Sequence, residues 1–481
     1  MTERSNVTWT AVATALGTAG AVYGAYWLYK QKDRETDRLP FAPAGMWKSM
    51  QGLDSPDSHN FLMEQAKALG EANYRFCLPM IPPYLYVVGD PTVAREILMD
   101  QSSDKPIPIY RALNYVTCGR PNIFTSPNNQ HWKCVRKGTV PAFSSSEIDR
   151  INKVCREQVE IWIKDVLEPL AESGGSFDPA KEMIKITFRV VCHAAFEYPS
   201  VSDDEIKRFG DNLEKAAIEF DRRETVDPTR KFMFFAKERQ EALKGCSECI
   251  DFGYKILHNY RNNPTKSTNK TVIRLLEEND HLQNDDMKVA ELLTFLSAAH
   301  DTTGSTLAFT LNLLAKHPSI CQDLREALKQ NSGKNCDYLQ WVLKESSRLC
   351  PVADFGAARV TGRDHVVSRP SKSAGKEAII PKGSWVLTPQ IIPNYNPDIY
   401  PDPERFHPRR WEKPTFAMTQ AHTPFALGSR NCIGRNLAQA ELNTVTSMIV
   451  ERFSLCIDQE GKAEHAFTLR LVGSRLAPQR V

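Results

Sequence analysis

The 481-residue sequence has no glycine–serine linker, no low-complexity block and no internal repeat that would divide it into smaller units. Length alone suggests two or three domains, but without such boundaries one large domain is the simpler prediction. The sequence also has little net charge, +3 from 61 basic and 58 acidic residues. This balance argues against a nucleic-acid-binding protein, which needs an excess of basic charge.

The cysteines do not form a disulfide framework or a zinc motif. Twelve are scattered along a long chain, whereas disulfide scaffolds are short and dense in cysteine. This distribution fits a reducing compartment. Cys246 and Cys249 form a lone CxxC pair without a second pair at zinc spacing, so we assign them no role.

One long uncharged apolar run is present, at the N-terminus. Residues 7–29 are mostly apolar or small, with aromatic residues towards both ends, and about 20 such residues can span a membrane. Lys30, Lys32 and Arg34 follow, and this basic bias predicts that the C-terminal bulk faces the cytosol. A cleaved signal peptide is the alternative. The prediction is a membrane anchor (1–29), a charged stalk with a proline hinge (30–45) and one large domain (46–481).

The most informative stretch is 425–434, which places Cys432 in a loop just before a probable helix over 435–452. A helix start offers unpaired N–H groups and a positive dipole end, and both favour the thiolate form that binds metals. Arg430 is well placed to bind an acidic group of the same ligand as a forked donor. The alternative is a buried free cysteine in a capping loop.

This stretch resembles the haem-binding signature of the cytochrome P450 family, which is Phe, two residues, Gly, one, Arg, one, Cys, one, Gly. The matching positions are Phe425, Gly428, Arg430, Cys432 and Gly434. The resemblance implies that all five contact haem b and that Cys432 is the proximal ligand of its iron. Thiolate donation to haem iron favours cleavage of the O–O bond.

A second motif lies on a predicted helix that begins at Trp132. The stretch before it, 105–131, is predicted to be loop. Trp132 and Arg136 are spaced i, i+4 and therefore present to one partner. They match the family's WxxxR pattern, and the resemblance implies hydrogen bonds to a haem propionate. An ordinary surface aromatic–cation pair is the alternative. Arg359 is a further propionate candidate.

Residues 287–317 form a long apolar run that predicts one helix across the domain. His300, Asp301, Thr302 and Thr303 interrupt it, and buried polar groups are costly unless they are hydrogen-bonded. An acid–alcohol pair could relay protons into a dry pocket. Threonines that bond back to their own helix are the alternative. The segment 298–303 resembles the family's oxygen-activation motif, with alanine at 299 where glycine is usual, which implies that Asp301 and Thr302 are catalytic.

Glu345 and Arg348 are spaced i, i+3 on a predicted helix and can form an ion pair. They match the family's ExxR motif. Its usual third partner is predicted to be Arg410, because the spacing from the preceding prolines favours it over Arg405. We interpret this triad as structural.

The motifs follow one another in the family's order, so the resemblance covers almost the whole chain after the predicted anchor. The resemblance implies a mainly α fold with a small β part, the cytochrome P450 fold, preceded by one transmembrane helix. It implies haem between the helices over 287–317 and 435–452. The haem is predicted to be non-covalent, because Ala298 stands where several ω-hydroxylases carry a glutamate that ties haem covalently.

The leading hypothesis is a haem-thiolate monooxygenase that inserts one atom of O2 into a lipophilic small molecule (a lipid, fatty acid, sterol, terpenoid or xenobiotic). Electrons would come from an NADPH-dependent cytochrome reductase, with cytochrome b5 as a further partner. The expected location is the endoplasmic reticulum membrane, single-pass, with the catalytic domain cytosolic. The alternatives are a haem-thiolate isomerase or dehydratase acting on peroxides without reductase, a haem sensor, and a scaffold without cofactor. The first commonly lacks the acid–alcohol pair kept here.

Overall fold

Helices make up most of the computed structural model, which describes residues 39–78, 81–221, 230, 232–263, 268–331, 336–367, 377–466 and 468–481. The helices of this part are α1 Met46–Leu53, α2 Ser58–Leu69, α3 Pro91–Met99, α4 Ile107–Arg111, α5 Gln130–Thr139, α6 Ser145–Trp162, α7 Glu168–Ser173, α8 Pro179–Phe196, α9 Asp203–Asp221, α10 Lys237–Asn262, α11 Val272–Glu277, α12 Asp285–Lys316, α13 Pro318–Gln330, α14 Asp337–Leu349, α15 Ile391–Asn394, α16 Phe416–Ala421 and α17 Arg435–Arg452. Short 3-10 turns lie at Ala112–Val116, Val140–Phe143, Pro408–Trp411 and Gly428–Arg430, and a π-helical turn at Ile163–Leu167.

The strands form one four-stranded sheet and three two-stranded ladders. They are β1 Asn73–Leu78, β2 Ile81–Val88, β3 Ala357–Val360, β4 His365–Val367, β5 Ala378–Ile380, β6 Trp385–Thr388, β7 Phe453–Gln459, β8 Lys462–His465, β9 Leu469–Val472 and β10 Arg475–Arg480. The larger sheet has the order β1-β2-β6-β3, with β2 and β6 parallel and the other pairs antiparallel. The prediction of a mainly α fold with a small β part is confirmed.

The helix α12 runs through the core, as the apolar run over 287–317 predicts. It begins where the Asn284 side chain caps the Met287 N–H, and Asp285 and Asp286 follow in the first turn, where negative charge is favourable. It ends just before Pro318, which disfavours helical conformation in the residue before it. Most of its length is buried, because helices pack on several of its faces.

The closest of these neighbours is α8. A β-carbon on Gly304 would lie 2.9 Å from the Ile184 Cα, so the two backbones approach too closely for a larger residue. The Thr187 hydroxyl donates to the His300 carbonyl at 2.9 Å and ties the helices together. The helix α17 also packs against α12. These contacts fix the position of the polar segment that follows His300.

Two predictions about local structure need comment. The stretch 105–131 is not all loop, because it contains α4, a 3-10 turn and the start of α5. Pro106 and Pro108 lie at the start of α4, where a missing N–H costs nothing. The predicted membrane helix over residues 7–29 lies outside the described residues. Among the helices that the structure describes, none is both long and apolar enough to cross a membrane.

Candidate functional site

The loop around Cys432 is held by its own backbone and by the end of α3. The Cys432 N–H donates to the Phe425 carbonyl at 2.9 Å, which closes the loop. Gly428 has φ +74°, and a β-carbon there would lie 2.3 Å from the Leu98 carbonyl oxygen. Glycine is therefore required at 428 by the approach of another backbone. At Gly434, just before α17, a β-carbon would meet only the Cys432 sulfur, at 3.9 Å, so this glycine leaves the space beside the sulfur open.

The Cys432 side chain is accessible to solvent, but protein atoms lie close to it on most sides. Enclosure raises the pKa of its thiol, against the lowering effects of the Gly434 N–H, Arg136 and Arg435. An exposed side chain in an enclosed position lines a concavity. The prediction that the helix end would favour the thiolate is therefore wrong for the free thiol, because desolvation outweighs the three favourable groups. Binding of a metal would displace the proton.

Arg136 holds the residue that precedes the cysteine. Its guanidinium donates to the Asn431 carbonyl at 3.1 Å and to the Asn431 side-chain oxygen at 2.5 Å. The sequence predicted that Arg136 and Trp132 would both bind the same partner. In the structure Arg136 lies 5.9 Å from the centre of the Trp132 ring and supports the cysteine loop directly. This contact crosses about 300 positions of sequence, so spacing on α5 could not reveal it.

Trp132 instead lies under Arg430. The Arg430 guanidinium carbon is 4.0 Å from the centre of the indole ring, a favourable cation–π distance. Arg430 also donates to the Asn128 side-chain oxygen and to the Ser126 carbonyl, both at 2.7 Å. Burial lowers the pKa of Arg430 to about 10, and Arg359 and Arg136 act in the same direction against Asp104.

Two further buried cations join Arg430. Arg359 donates to the Ala358 carbonyl at 2.8 Å. Lys105 donates to the Phe124 carbonyl. Burial lowers the pKa of both cations, and for Lys105 the charges of Arg430 and Arg359 lower it further. Sequence reasoning missed Lys105, because a lysine in a proline-rich stretch carries no periodic signal.

This cluster of buried cations has too little negative charge of its own. Among the residues that the structure describes, the acidic group that acts on it is Asp104, 3.9 Å from Arg430. Buried charges are stable only when they are paired. A ligand with two carboxylates would satisfy Lys105, Arg359 and Arg430, and the two propionates of haem supply that chemistry. The donor set therefore fits haem.

The middle of α12 forms a second side of the candidate site, in addition to the cysteine loop and the cations. This helix is buried on both sides of the segment, yet Ala298 is exposed, and Ala299 and Thr302 are half-exposed. Positions 298 and 302 share one helical face, so this face opens into a space inside the molecule. Ala299 and Ile433 pack against the same hydrophobic cluster as Trp132. The exposed face of α12 and the cysteine loop therefore belong to one region.

Asp301 and Thr302 are adjacent but face different surroundings. The Thr302 hydroxyl donates to the Ala298 carbonyl at 2.9 Å, so the back-bonding alternative describes its hydrogen bond. Asp301 is buried, and its carboxylate accepts from Thr468 at 2.6 Å and from Arg470 at 2.9 Å. The sequence offered no signal for these two partners, which lie at and beside β9.

The predicted triad of Glu345, Arg348 and Arg410 is confirmed. Arg348 donates two bonds to the Glu345 carboxylate, at 3.0 and 2.8 Å, and Arg410 donates one at 2.8 Å. Arg405 contributes its backbone carbonyl to Arg348. Burial alone would raise the pKa of Glu345, but Arg348, Arg410 and the His407 N–H hold it below its usual value. The triad joins α14 to the segment before the cysteine loop.

Comparison with known proteins decides the family. The family model for cytochrome P450 matches residues 43–478, nearly the whole described chain. The chain belongs to the cytochrome P450 family. Among curated relatives, it is 26% identical to cytochrome P450 3A31 of Mesocricetus auratus over 357 residues, covering 68% of each protein. It is also 26% identical to human cytochrome P450 4F2 over 376 residues, covering 71% of each.

Two other comparisons cover more of the chain. Cytochrome P450 monooxygenase g430 of a Fusarium species is 24% identical over 491 residues, covering 92% of this chain and 83% of the relative. A crystal structure of a cytochrome P450 (CYP102L1) superposes with a TM-score of 0.73 at 20% identity, covering 92% of this chain and all of that one. This last likeness concerns the fold alone.

Membership settles the class of reaction and of cofactor. The protein is a cytochrome P450 monooxygenase, an oxidoreductase, and its cofactor is a cysteine-ligated haem b. The family also implies a redox partner and lipophilic substrates. The exposed thiol, the cluster of three buried cations facing one acidic group and the open face of α12 are what such a cofactor requires of this P450.

Proposed function

We propose that this P450 inserts one oxygen atom of O2 into a lipophilic small molecule, with electrons from an NADPH-dependent flavoprotein reductase. The observation that carries the proposal is the acid–alcohol pair, with Asp301 buried and Thr302 half-exposed beside Ala298 in the middle of α12. An isomerase or dehydratase acting on peroxides would need no proton delivery at this point. A buried carboxylate kept there at an energetic cost therefore favours the monooxygenase.

The haem would be held by the cysteine loop and by the cluster of buried cations. We assign Cys432 as the iron ligand and Arg430, Arg359 and Lys105 as partners of the propionates, with Trp132 supporting Arg430 and Arg136 supporting the loop. When bound, the haem supplies the oxidising chemistry, and the protein binds, orients and excludes water. Phe425, Gly428 and Gly434 shape the loop that presents the sulfur.

Asp301 and Thr302 would transfer protons into the site. Thr302 lies on the half-exposed face of α12, and its hydroxyl would exchange its bond to the Ala298 carbonyl for one directed into the open space when it passes a proton on. Asp301 is the adjacent acidic group, and its carboxylate is bound by Thr468 and Arg470. A proton reaching Asp301 from outside could therefore pass to the Thr302 side without admitting bulk water.

The reductase would dock on a basic face near the cysteine loop. Five exposed basic side chains would contribute, namely Lys133, Lys137, Arg409, Lys413 and Arg435. Exposed basic side chains steer an acidic partner and set the salt dependence of association. Cytochrome b5 could use the same face.

The proposed setting is the endoplasmic reticulum membrane. Residues 1–29 would anchor the chain in a single pass, 30–45 would form a stalk, and 46–481 would be the cytosolic catalytic domain. The support is the sequence of the N-terminal segment: an uncharged apolar run followed by basic residues.

The test is product mass spectrometry on the membrane-bound protein supplied with reductase and a lipid extract, with and without NADPH. Products that gain one oxygen only with NADPH, and that are lost in Cys432→Ala and reduced in Thr302→Ala, would support the proposal. Products formed from lipid hydroperoxides without NADPH would instead establish the isomerase.

A further inference from the structure

Glu291 is a buried carboxylate of α12 that the proposed reaction does not use. Its side chain is 0% exposed, and burial raises its pKa, although His131 and the Ile123 N–H lower it. Its Oε2 accepts a hydrogen bond from the Ile123 N–H at 3.0 Å, and its Oε1 lies 2.8 Å from Nε2 of His131. These two partners are the first and last residues of the segment 123–131, so one carboxylate holds this segment at both ends.

The segment 123–128, here called the acceptor loop, faces the buried cations. Arg430 donates to three of its oxygens, namely the carbonyls of Ile123 (3.5 Å) and Ser126 (2.7 Å) and Oδ1 of Asn128 (2.7 Å). Lys105 donates to a fourth oxygen, the Phe124 carbonyl. Because Ile123 also donates its N–H to the carboxylate, one residue of the acceptor loop connects α12 to a cation of the candidate haem site.

The second bond of Glu291 holds the start of α5. An ionised carboxylate only accepts hydrogen bonds, so we assign the His131 proton to Nε2. Nδ1 of His131 then accepts from Nε2 of His281 at 3.2 Å. The next residue of α5 is Trp132, whose ring lies under Arg430. Glu291 therefore holds both supports of this guanidinium, the acceptor loop and the indole ring.

The contacts of Glu291 with the cations are indirect. Among the residues that the structure describes, the carboxylate whose charge acts on Arg430 and Lys105 is Asp104. Any effect of Glu291 on these cations must therefore pass through its hydrogen bonds to the acceptor loop and to His131. An apolar side chain could fill the same space without the cost of a buried carboxylate, so these two bonds are what the carboxylate supplies.

We propose that Glu291 is a positioning residue for the haem: it fixes the acceptor loop and Trp132, and through them it directs Arg430 and Lys105 at the propionates. The inference rests on the proposed assignment of these cations to the propionates. Because the loop oxygens bind both cations, displacement of the loop displaces the guanidinium and the ammonium group as well.

The test is resonance Raman spectroscopy of the full-length haem protein, in which the bending mode of the propionates reports their hydrogen bonds. Glu291→Met removes two hydrogen bonds; it should shift this band and raise the rate of haem loss by about tenfold. Glu291→Gln should match the wild type, because its amide can accept from the Ile123 N–H and donate to a ring nitrogen of His131.

The matched control is Glu147→Met. Glu147 is also a buried carboxylate with two donors, since its side chain is 9% exposed and it accepts from Arg150 at 2.9 Å and from the Lys270 N–H at 2.8 Å. Its loss should leave the propionate band in place. A band that moves no further in Glu291→Met than in Glu147→Met, or as far in Glu291→Gln as in Glu291→Met, would overturn the inference. If Glu291→Met does not fold, His131→Phe removes one of the two bonds, and an unmoved band in that variant would overturn it equally.

A further variant separates this inference from the assignment on which it rests. Arg430→Gln should move the same band. If it does not, the assignment of the cations to the propionates fails, and the inference fails with it. If Arg430→Gln moves the band and Glu291→Met does not, the role of Glu291 alone fails. The spectrum requires no substrate, reductase or NADPH, so it is independent of the proposed monooxygenation.

Discussion

Arg430 lies over the ring of Trp132, with its guanidinium carbon 4.0 Å from the centre of the indole ring. The two residues are almost 300 positions apart in the sequence. Their contact joins the helix α5 to the cysteine loop and presents the Arg430 charge at the edge of the candidate haem site. This relationship gives Trp132 a function beyond filling space, because the ring stabilises a cation whose pKa burial lowers.

Removal of the Trp132 ring should weaken haem binding. A partly buried cation–π contact contributes about 1–2 kcal/mol, so Trp132→Ala should lower haem affinity by about tenfold. Titration of haem into the apoprotein measures this directly. Trp47→Ala, at an exposed tryptophan distant in sequence from the site, should bind haem like the wild type. Equal affinities in the two variants would contradict the role of Trp132.

Loss of Arg410 should destabilise the protein strongly. Glu345 is fully buried and depends on Arg348 and Arg410 for compensation, so Arg410→Met should reduce the free energy of unfolding by about 3 kcal/mol. Arg405→Met changes an exposed side chain and should stay within about 0.5 kcal/mol of the wild type. Denaturant unfolding of the two variants decides between the arginines. Similar losses for both would show that the triad is assigned to the wrong residue.

Ala426 is a site where glycine should stabilise the protein. It has φ +53°, a left-handed conformation that costs a residue with a β-carbon about 1 kcal/mol. Ala426→Gly should therefore increase the free energy of unfolding by up to about 1 kcal/mol. The matched control Ala417→Gly, in the short helix α16, should decrease it by a similar amount. If both substitutions destabilise, the strain at Ala426 is not relieved by glycine.

Acidification should destabilise the protein through His422. Burial, with the charge of Lys344, lowers the pKa of His422 from 6.5 to about 4, and its Nε2 lies 3.0 Å from the Ser347 hydroxyl. The unfolded chain binds a proton below pH 6.5 while the folded state does not until about pH 4. Stability is therefore complete above pH 6.5 and falls by up to about 3 kcal/mol as the pH drops to 4.

The check on His422 is a series of unfolding curves across this pH range. His422→Asn should flatten the dependence on pH, because the asparagine does not titrate. A variant whose stability falls as steeply as that of the wild type would assign the effect to other groups.

Haem should be extractable from the protein. Ala298 offers no carboxylate on the exposed face of α12, so no ester bond can form there. Acid–solvent extraction of the purified protein, followed by absorbance of both phases, should find the haem in the solvent. Haem that stays with the chain would show a covalent bond and contradict this expectation.

Local and periodic features of the fold were predictable. The helix α17 has the predicted bounds, and α12 differs from its prediction by two residues at its start and one at its end. In these segments apolar spacing, capping residues and prolines all favour the same conformation. The choice of Arg410 over Arg405 followed from spacing along a short, rigid segment.

Contacts between distant segments were not predictable. Lys105 lies in an aperiodic stretch, and its burial depends on Tyr110 and Phe124, whose rings it contacts. The partners of Asp301 come from a hairpin some 170 residues further on. Arg136 was assigned to the site by motif, but its bond to Asn431 depends on how α5 meets the cysteine loop. Contacts between segments that are distant in sequence leave no local pattern in a single sequence.

The central claim is that the protein transfers one atom of O2 to a lipophilic substrate at a haem held by Cys432. The most direct measurement is mass spectrometry of the product formed under isotopically heavy dioxygen, with NADPH and reductase present. The account predicts one heavy oxygen atom per product molecule and none with Cys432→Ala. A product whose new oxygen carries no label, formed equally without NADPH, would contradict it.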